Sequence, residues 1–514
     1  MPLTLPSGFS SSTKRPAMVF SARFGSASNV SGGAPMRLCL IGNKTSAGTA
    51  TLDTPVFCAS ADDGTTLTGA GSELDLMIRA VFAQWRVPEV WICPVTESVG
   101  VAATALMLFA GTATAAGTIR VKILDEWVDV AVANTDAAST VGTNVAAAIN
   151  AKTNWPVTAS GTTTVTVTWK QKGLRGNDAP IDVFFRDGVT GLTVALNGGT
   201  ATAVHAISKI GTSTGTAGTT ADDVTNALAA MATQKFHHIA AAHVDTGNWT
   251  KIKNHVNTYS GIAERKRQRA IVACLKDVSS AITDVANENN ILFQAVWHYN
   301  PRNTSGQIAA QEASARIWGD SSVAGGTAKG EQTYRGCNLN GTEMATIKVQ
   351  DDPADQPLGT EIELALNGGL TPLEPSSANP GCVRIVRSVT SRCKDSAGNA
   401  NYSGLDTTVP EVTHFAQDDI EARMAIDFAH KNLVPDGPRP PKHEDSVTPS
   451  FLKSYLQKWA MDMEDQGLFS NVSAHLNEFA VEIDPSNKSQ AIGYVPYEVI
   501  KGFHNFAGLL DQVG

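Results

Sequence analysis

From Ala17 to Phe24 the chain reads AMVFSARF, a short alternation of apolar and polar positions. A period of two predicts a strand. The surrounding first thirty residues are polar, with Ser, Gly and Pro, and no adjacent partner strand follows. Such a strand must pair far away in its own chain or with another chain. Its pairing residues are Met18, Val19, Phe20, Ala22 and Phe24. The pattern then changes. RLCLIG (Arg37 to Gly42) predicts a buried strand. SELDLMIRAVFAQW (Ser72 to Trp85) predicts a helix capped by Ser72, with Leu74, Met77, Ile78, Val81, Phe82 and Trp85 at helical spacing. EVWICPV (Glu89 to Val95) predicts the next strand. Strand, helix and strand in that order favour a parallel sheet with a crossover.

From Ser98 to His205 alternation dominates, in TIRVKILDEWVDVAV, TTTVTVTWKQKG, IDVFFRDG and LTVALNGG. One helix interrupts it near Gly142 to Lys152. These segments predict a β-sandwich-like domain inserted into the α/β domain, leaving through GTSTGTAGTT (Gly211 to Thr220). The α/β pattern then resumes, with strands in FHHIAAAHVD, RAIVACLK and ILFQAVWHY and helices between them, a doubly wound signature. After Gly368 the pattern becomes α+β, with a strand in GCVRIVRSVTSR, two long helices, and two strands split by the turn DPSNKS. The expected division is an arm at 1–30, a discontinuous α/β domain at 31–97 and 206–367, an inserted outer β domain at 98–205, and a C-terminal α+β domain at 368–514.

Composition narrows the function. Charged residues make up 17% of the 514, against about 25% in ordinary soluble domains. Ala, Thr, Ser and Gly replace them, which suits large protein–protein surfaces and ordinary β domains alike. A net charge of −9 argues against a nucleic-acid binder, which carries a basic face. The one dense basic run, ERKRQR (Glu264 to Arg269), reads as the solvated end of a helix. The N-terminus lacks the apolar stretch of a secretory signal. Ser98 to Ile119 is uncharged and long enough to span a bilayer. Its second half is Thr, Gly and Ala and runs into TIRVKI, which predicts a strand pair and no membrane contact. Of seven cysteines, Cys39, Cys93 and Cys274 lie in apolar strands and Cys58 ends a similar run. Cys337, Cys382 and Cys393 fall at strand ends or in loops. No CxxC or zinc spacing occurs, so no metal is expected, and the odd count suits synthesis in a reducing compartment.

Candidate chemistry is thin. GTSTG (Gly211 to Gly215) matches the G-x-S-x-G of a hydrolase nucleophile, with Ser213 as the nucleophile. A nucleophile elbow needs its helix to begin at once, whereas TAGTTAD intervenes here, so the stretch reads as a linker. In HHIAAAHVD, His237, His243 and Asp245 would share one strand face. His237 and His243 stand about 20 Å apart at ~3.3 Å per residue, so they read as strand-end histidines. LIGNKTSAG lacks the Gly-Lys pair of a phosphate loop. Asp62/Asp63, Asp351/Asp352 and Asp418/Asp419 are sequence neighbours that project differently, and read as loop or cap residues. No catalytic residue and no cofactor are expected.

CVRIVRSVTSRCKDSAGNANY (Cys382 to Tyr402) is ordered, polar on one face, and without a catalytic partner. It fits a wider pattern. LCLIGNKTSAGTATLDTPVFCAS and GAGSELDLMIRAVFAQWRVPEVWICPV resemble the entry region of contractile bacteriophage tail sheath proteins of the Mu-like group, where a G-x-G-S-x-L-x-x-M helix precedes a strand with E-V-W. GTATAAGTIRVKILDEWVDVAV and TVTWKQKGLRGNDAPIDV are similar to the family's inserted β domain. DDPADQPLGTEIEL resembles a family turn, IVRSVTS its I-x-R-x-[IV]-T-[ST] strand, and VTPSFLKSYLQKWAMDMEDQGLFSN its C-terminal helix. The order of segments carries the resemblance, and it covers nearly the whole chain. LEPSSANPG (Leu373 to Gly381) is shorter than its counterpart. The resemblance implies a structural protein and not an enzyme. It implies hexameric rings of this chain stacked into a helical sheath, with the tail tube, baseplate and tail terminator proteins as partners and neither nucleic acid nor membrane. It also implies assembly in the host cytoplasm and residence in the virion. Arm strands would join neighbouring subunits, and contraction would drive the tube through the cell envelope to deliver the genome. A sheath from a phage-like bacteriocin or secretion device fits the same segments. Because a virion works outside the cell, Cys337, Cys382 and Cys393 are either inter-subunit disulfide partners or unpaired surface thiols.

Overall fold

The computed structural model describes residues 36–504 apart from 85–86, 88, 213, 321–335, 438–444 and 503. A nine-stranded sheet organises the larger of two compact units, which includes residues 36–412. Its first strands are β1 (Arg37–Gly42), β2 (Val56–Cys58) and β3 (Glu89–Pro94), with helices α1 (Ala61–Thr68) and α2 (Glu73–Gln84) between β2 and β3. The chain then builds β4 (Ala102–Ala115), β5 (Gly117–Ile123), β6 (Glu126–Val132), α3 (Ala138–Ala151), β7 (Val157–Gly161), β8 (Thr164–Lys172), β9 (Pro180–Arg186), β10 (Thr190–Leu196) and β11 (His205–Lys209). It returns through α4 (Thr225–Met231), β12 (His238–Ala241), α5 (Thr246–Ser260), β13 (Arg269–Cys274), α6 (Val278–Ala286), β14 (Phe293–Trp297) and α7 (Ser305–Asp320). β15 (Glu343–Lys348), α8 (Gly359–Asn367), β16 (Leu370–Pro375) and β17 (Cys382–Ile385) complete the sheet, and α9 (Thr408–Asp427) follows.

The strand order is β15-β17-β16-β14-β13-β12-β1-β3-β2. β3, β1, β12, β13, β14 and β16 run parallel, β2 and β17 pair antiparallel with them, and β15 pairs antiparallel with β17. Successive side chains face opposite sides of a sheet. Leu38, Leu40, Ile92, Ala240 and Ile271 therefore pack with α2 and α7. Cys39, Ile41, Cys93, Ile239 and Val272 pack with α4, α5 and α6. Burial on both faces explains why RLCLIG and RAIVAC read as apolar runs and not as alternations.

β4 to β11 form two four-stranded antiparallel sheets, β10-β4-β8-β7 and β11-β9-β5-β6, which with α3 enclose one apolar core. The uncharged run from Ser98 supplies β4 and β5 as expected, but these enter different sheets and do not pair with each other. No described helix is long and apolar enough to cross a membrane.

Three expectations need correction. The sheet does not stop at residue 367. β16 and β17 extend it, and the boundary of the second unit falls at Thr413. The strand in GCVRIVRSVTSR ends at Ile385, after which the backbone is held by the single bridge Val389 to Asp406. ERKRQR is not a helix end. α5 stops at Ser260, Arg265 and Arg267 take left-handed φ values of 54° and 52°, and Arg267, Gln268 and Arg269 are buried.

The second unit, from Thr413 to Glu498, contains the rest of α9, then α10 (Pro449–Asp465), α11 (Val472–His475), and a hairpin pairing Ala480–Ile483 with Ala491–Tyr494. Thr448 caps α10 by accepting from the Phe451 amide, and Pro449 at the first position needs no donor. Leu452, Leu456, Trp459 and Met463 form its buried stripe. Asp419 is no loop or cap residue. It lies within α9, buried, and accepts from Trp459 Nε1 at 2.9 Å.

Candidate functional site

In open α/β sheets ligands bind at the carboxyl ends of the strands, where the strand order reverses. Here that point lies between β1 and β12, and a charged cluster occupies it. Glu73 opens α2, Asp222 precedes α4, and His243 follows β12. Arg175 reaches in from a short 3-10 turn of the inserted domain. Its Nε stands 2.9 Å from Glu73 Oε2, and its Nη2 bonds Asp222 Oδ2. His243 Nε2 is 4.0 Å from the same oxygen, and both those side chains are 1% exposed. Asp222 Oδ1 accepts from the Ser98 amide at 2.6 Å. Burial pushes the Glu73 carboxyl up to about 7 against the pull of Arg175 and the Asn43 amide. Burial also holds His243 well below its usual value, helped by the Arg175 charge.

A second ion pair runs the other way. Arg302, on the loop after β14, places Nη1 2.7 Å from Asp182 Oδ2, on β9 of the inserted domain. Its Nη2 lies 2.6 Å from Asp351 Oδ2, which Lys122 of β5 also approaches at 2.9 Å. A cavity of about 260 Å³ adjoins these contacts, lined by Trp169, Arg175, Asp178, Cys274, Tyr299 and Asn300 among others. The carboxylates that could act as acid or base are tied to arginines. No group of His, Cys, Asp and Glu among the described residues could hold a metal ion.

A second buried network explains the ordered stretch after Gly381. Gln294 Nε2 donates to Glu312 Oε1 at 2.8 Å and to Ser388 Oγ at 3.0 Å. Ser388 Oγ donates to Glu312 at 2.8 Å. Thr390 Oγ1 donates to the Gly404 carbonyl at 2.7 Å, and Arg387 grips Asp406 with bonds of 2.8 and 3.1 Å. These polar side chains satisfy buried partners, which is what a buried polar group requires.

Met18, Val19, Phe20, Ala22, Phe24 and Ser213 lie outside the described residues. The helix after GTSTG begins only at Thr225, too late for a nucleophile elbow. His238 opens β12 and stands 3.5 Å from Glu411, while Asp245 caps α5. All seven cysteines are buried. Cys382 opens β17 and Cys337 and Cys393 lie in loops, but Cys337, Cys382 and Cys393 are only 1%, 6% and 7% exposed and not the surface thiols the sequence suggests. A disulfide between subunits would require the chain to open first, since the two Cα atoms must come within ~7 Å. Arg175, Glu73, Asp222, Arg302 and Asp182 carry no local signal, because the paired residues stand up to 120 positions apart and in different domains.

No family model matches the chain. It is 31% identical over 144 residues to the Mu-like prophage FluMu tail sheath protein of Haemophilus influenzae. The matched stretch covers 28% of this chain and 30% of that relative. Two solved structures to which it is similar are also sheath tail proteins. That of Desulfitobacterium hafniense is 13% identical, with a TM-score of 0.46, covering 95% of this chain and 100% of the other. That of Listeria innocua is 14% identical, with a TM-score of 0.47, covering 93% and 97%.

Proposed function

We propose that the chain is the repeating subunit of a contractile tail sheath. It assembles as stacked hexameric rings around a tail tube and contracts to drive that tube through the host envelope. The relationship to the Mu-like tail sheath protein carries this reading. Charged groups locked in buried ion pairs agree with a structural role. Baseplate, tube and tail terminator proteins are the partners, the host cytoplasm is the place of assembly, and the virion is the destination.

The link between subunits is strand addition. The hairpin Ala480–Ile483 and Ala491–Tyr494 is only two strands wide among the described residues. Isolated two-stranded hairpins are marginal in water. An apolar groove of about 380 Å³, lined by Ile420, Leu456, Trp459, Phe469, Val481 and Tyr497 among others, lies against it. AMVFSARF of another copy supplies the added strand in this reading. Six residues gain roughly six backbone hydrogen bonds, about 3–9 kcal/mol per link before ordering costs.

Negative-stain imaging of the purified protein tests the reading. Rings or tubes are expected, and monodisperse small particles at high concentration would count against it. Deletion of residues 1–24 should leave a folded protein that forms no tubes.

A further inference from the structure

The inserted domain and the sheet beneath it do not share a core. The buried apolar cluster of the insert has no residue in common with either cluster of the sheet. Two buried ion pairs join them. Arg175 projects from the insert into the sheet's carboxyl edge, between Glu73 and Asp222. Arg302 projects from the sheet's loop against Asp182 of the insert. Each arginine side chain is 5% exposed, so each pair is shielded from solvent and salt. Other contacts across the seam are polar too, as where Lys170 Nζ donates to the Ala70 carbonyl at 2.9 Å, and the cavity adjoins them. Domains within one chain move relative to one another unless a large apolar interface holds them.

The two chain crossings form a narrow hinge. The Thr219 amide donates to the Val101 carbonyl at 3.3 Å, and the Val101 amide donates to Thr219 Oγ1 at 3.3 Å. Gly100 fits only because it lacks a Cβ, which would stand 1.8 Å from the Thr219 carbonyl oxygen. Beyond this point Gly211 and Gly218 are bonded to the insert. Gly211 donates to the Thr104 carbonyl, and Gly218 is held by Asn177 at both its amide and its carbonyl. Ser98–Gly100 and Thr219–Ala221 are the segments left between the insert and the sheet. Asp222, gripped by Arg175, comes next.

We propose that the insert is a hinged body latched to the α/β unit by these reciprocal arginine hooks, and that it swings as a whole when they release. The hooks set its pose, and the separate cores let it move without unfolding. This holds whether or not the chain forms a sheath.

Amide hydrogen exchange on the full chain tests the latch, with Arg175→Met and Arg302→Met combined and the exposed Arg120–Asp129 pair removed by Arg120→Met as the control. Exchange at the seam, read at the amides of Ser98 and Lys172, should speed up by roughly 100-fold. The β5–β9 pair of the insert and the β12–β13 pair of the sheet should keep their protection. Unchanged seam exchange would overturn the proposal. So would equal loss in all three places, because the insert and the sheet would then be one cooperative body.

Discussion

Arg269, at the start of β13, is ion-paired through Nη1 with Glu411 in the first turn of α9, and both side chains are buried. Burial alone would push the Glu411 carboxyl up, but the charges of His238, Arg269 and Arg316 hold it well below the usual carboxylate range. This pair ties the start of α9 to the middle of the sheet. Removing one partner strands the other charge, so Glu411→Gln should destabilise the larger unit by about 3–5 kcal/mol in urea unfolding. The contribution is complete above the unfolded carboxylate value and is lost as pH falls through the lowered folded one. Wild type and variant should therefore converge in strong acid.

Glu73 has the opposite sign. Its carboxyl is raised from 4.5 to about 7, so the folded chain holds a proton there that the unfolded chain releases. Its contribution makes stability rise as pH falls from about 7 towards 4.5, by about 3 kcal/mol across that window. His243, held below 6.5, opposes this at the acid end. Thermal melts of Glu73→Gln should lack the Glu73 slope, and an unaltered pH profile would contradict the burial argument.

Gly142 sits inside α3 where a Cβ would stand 1.6 Å from the Thr162 carbonyl oxygen. Backbone cannot retreat as a flexible side chain can, so Gly142→Ala must push α3 off the β7–β8 turn. A loss of about 1–3 kcal/mol is expected, despite the better helix propensity of alanine. Exchange should rise in the insert and leave the β12–β13 pair of the sheet unchanged.

The thiols should be silent in the native protein. Burial pushes Cys58 and Cys93 up to about 12 and Cys274 up to about 11, and a protonated, enclosed thiol reacts slowly. A thiol reagent should label none of the seven until denaturant is added. Non-reducing electrophoresis of assembled material should show monomer. Multimer bands that collapse with reductant would restore the bracing role for Cys337, Cys382 or Cys393.

Local pattern determined the elements that local physics governs. The helix over Glu73–Gln84, the parallel strands RLCLIG and RAIVAC, the alternating insert and the Thr448 cap were all legible, because periodicity and capping depend on neighbours a few residues away. GTSTG could be set aside as a linker for the same reason. The tertiary structure alone decided the rest. β17 joins the sheet because β16 offers it an edge, which no residue in CVRI announces. Ser388 is a buried polar partner and Arg387 a half-buried one because Glu312 and Asp406 come to meet them. Arg175 and Arg302 look like ordinary surface arginines in sequence. They become hooks only when folding brings Glu73, Asp222 and Asp182 to them and takes the pairs out of water, where a charge must be matched or its burial is too costly to sustain.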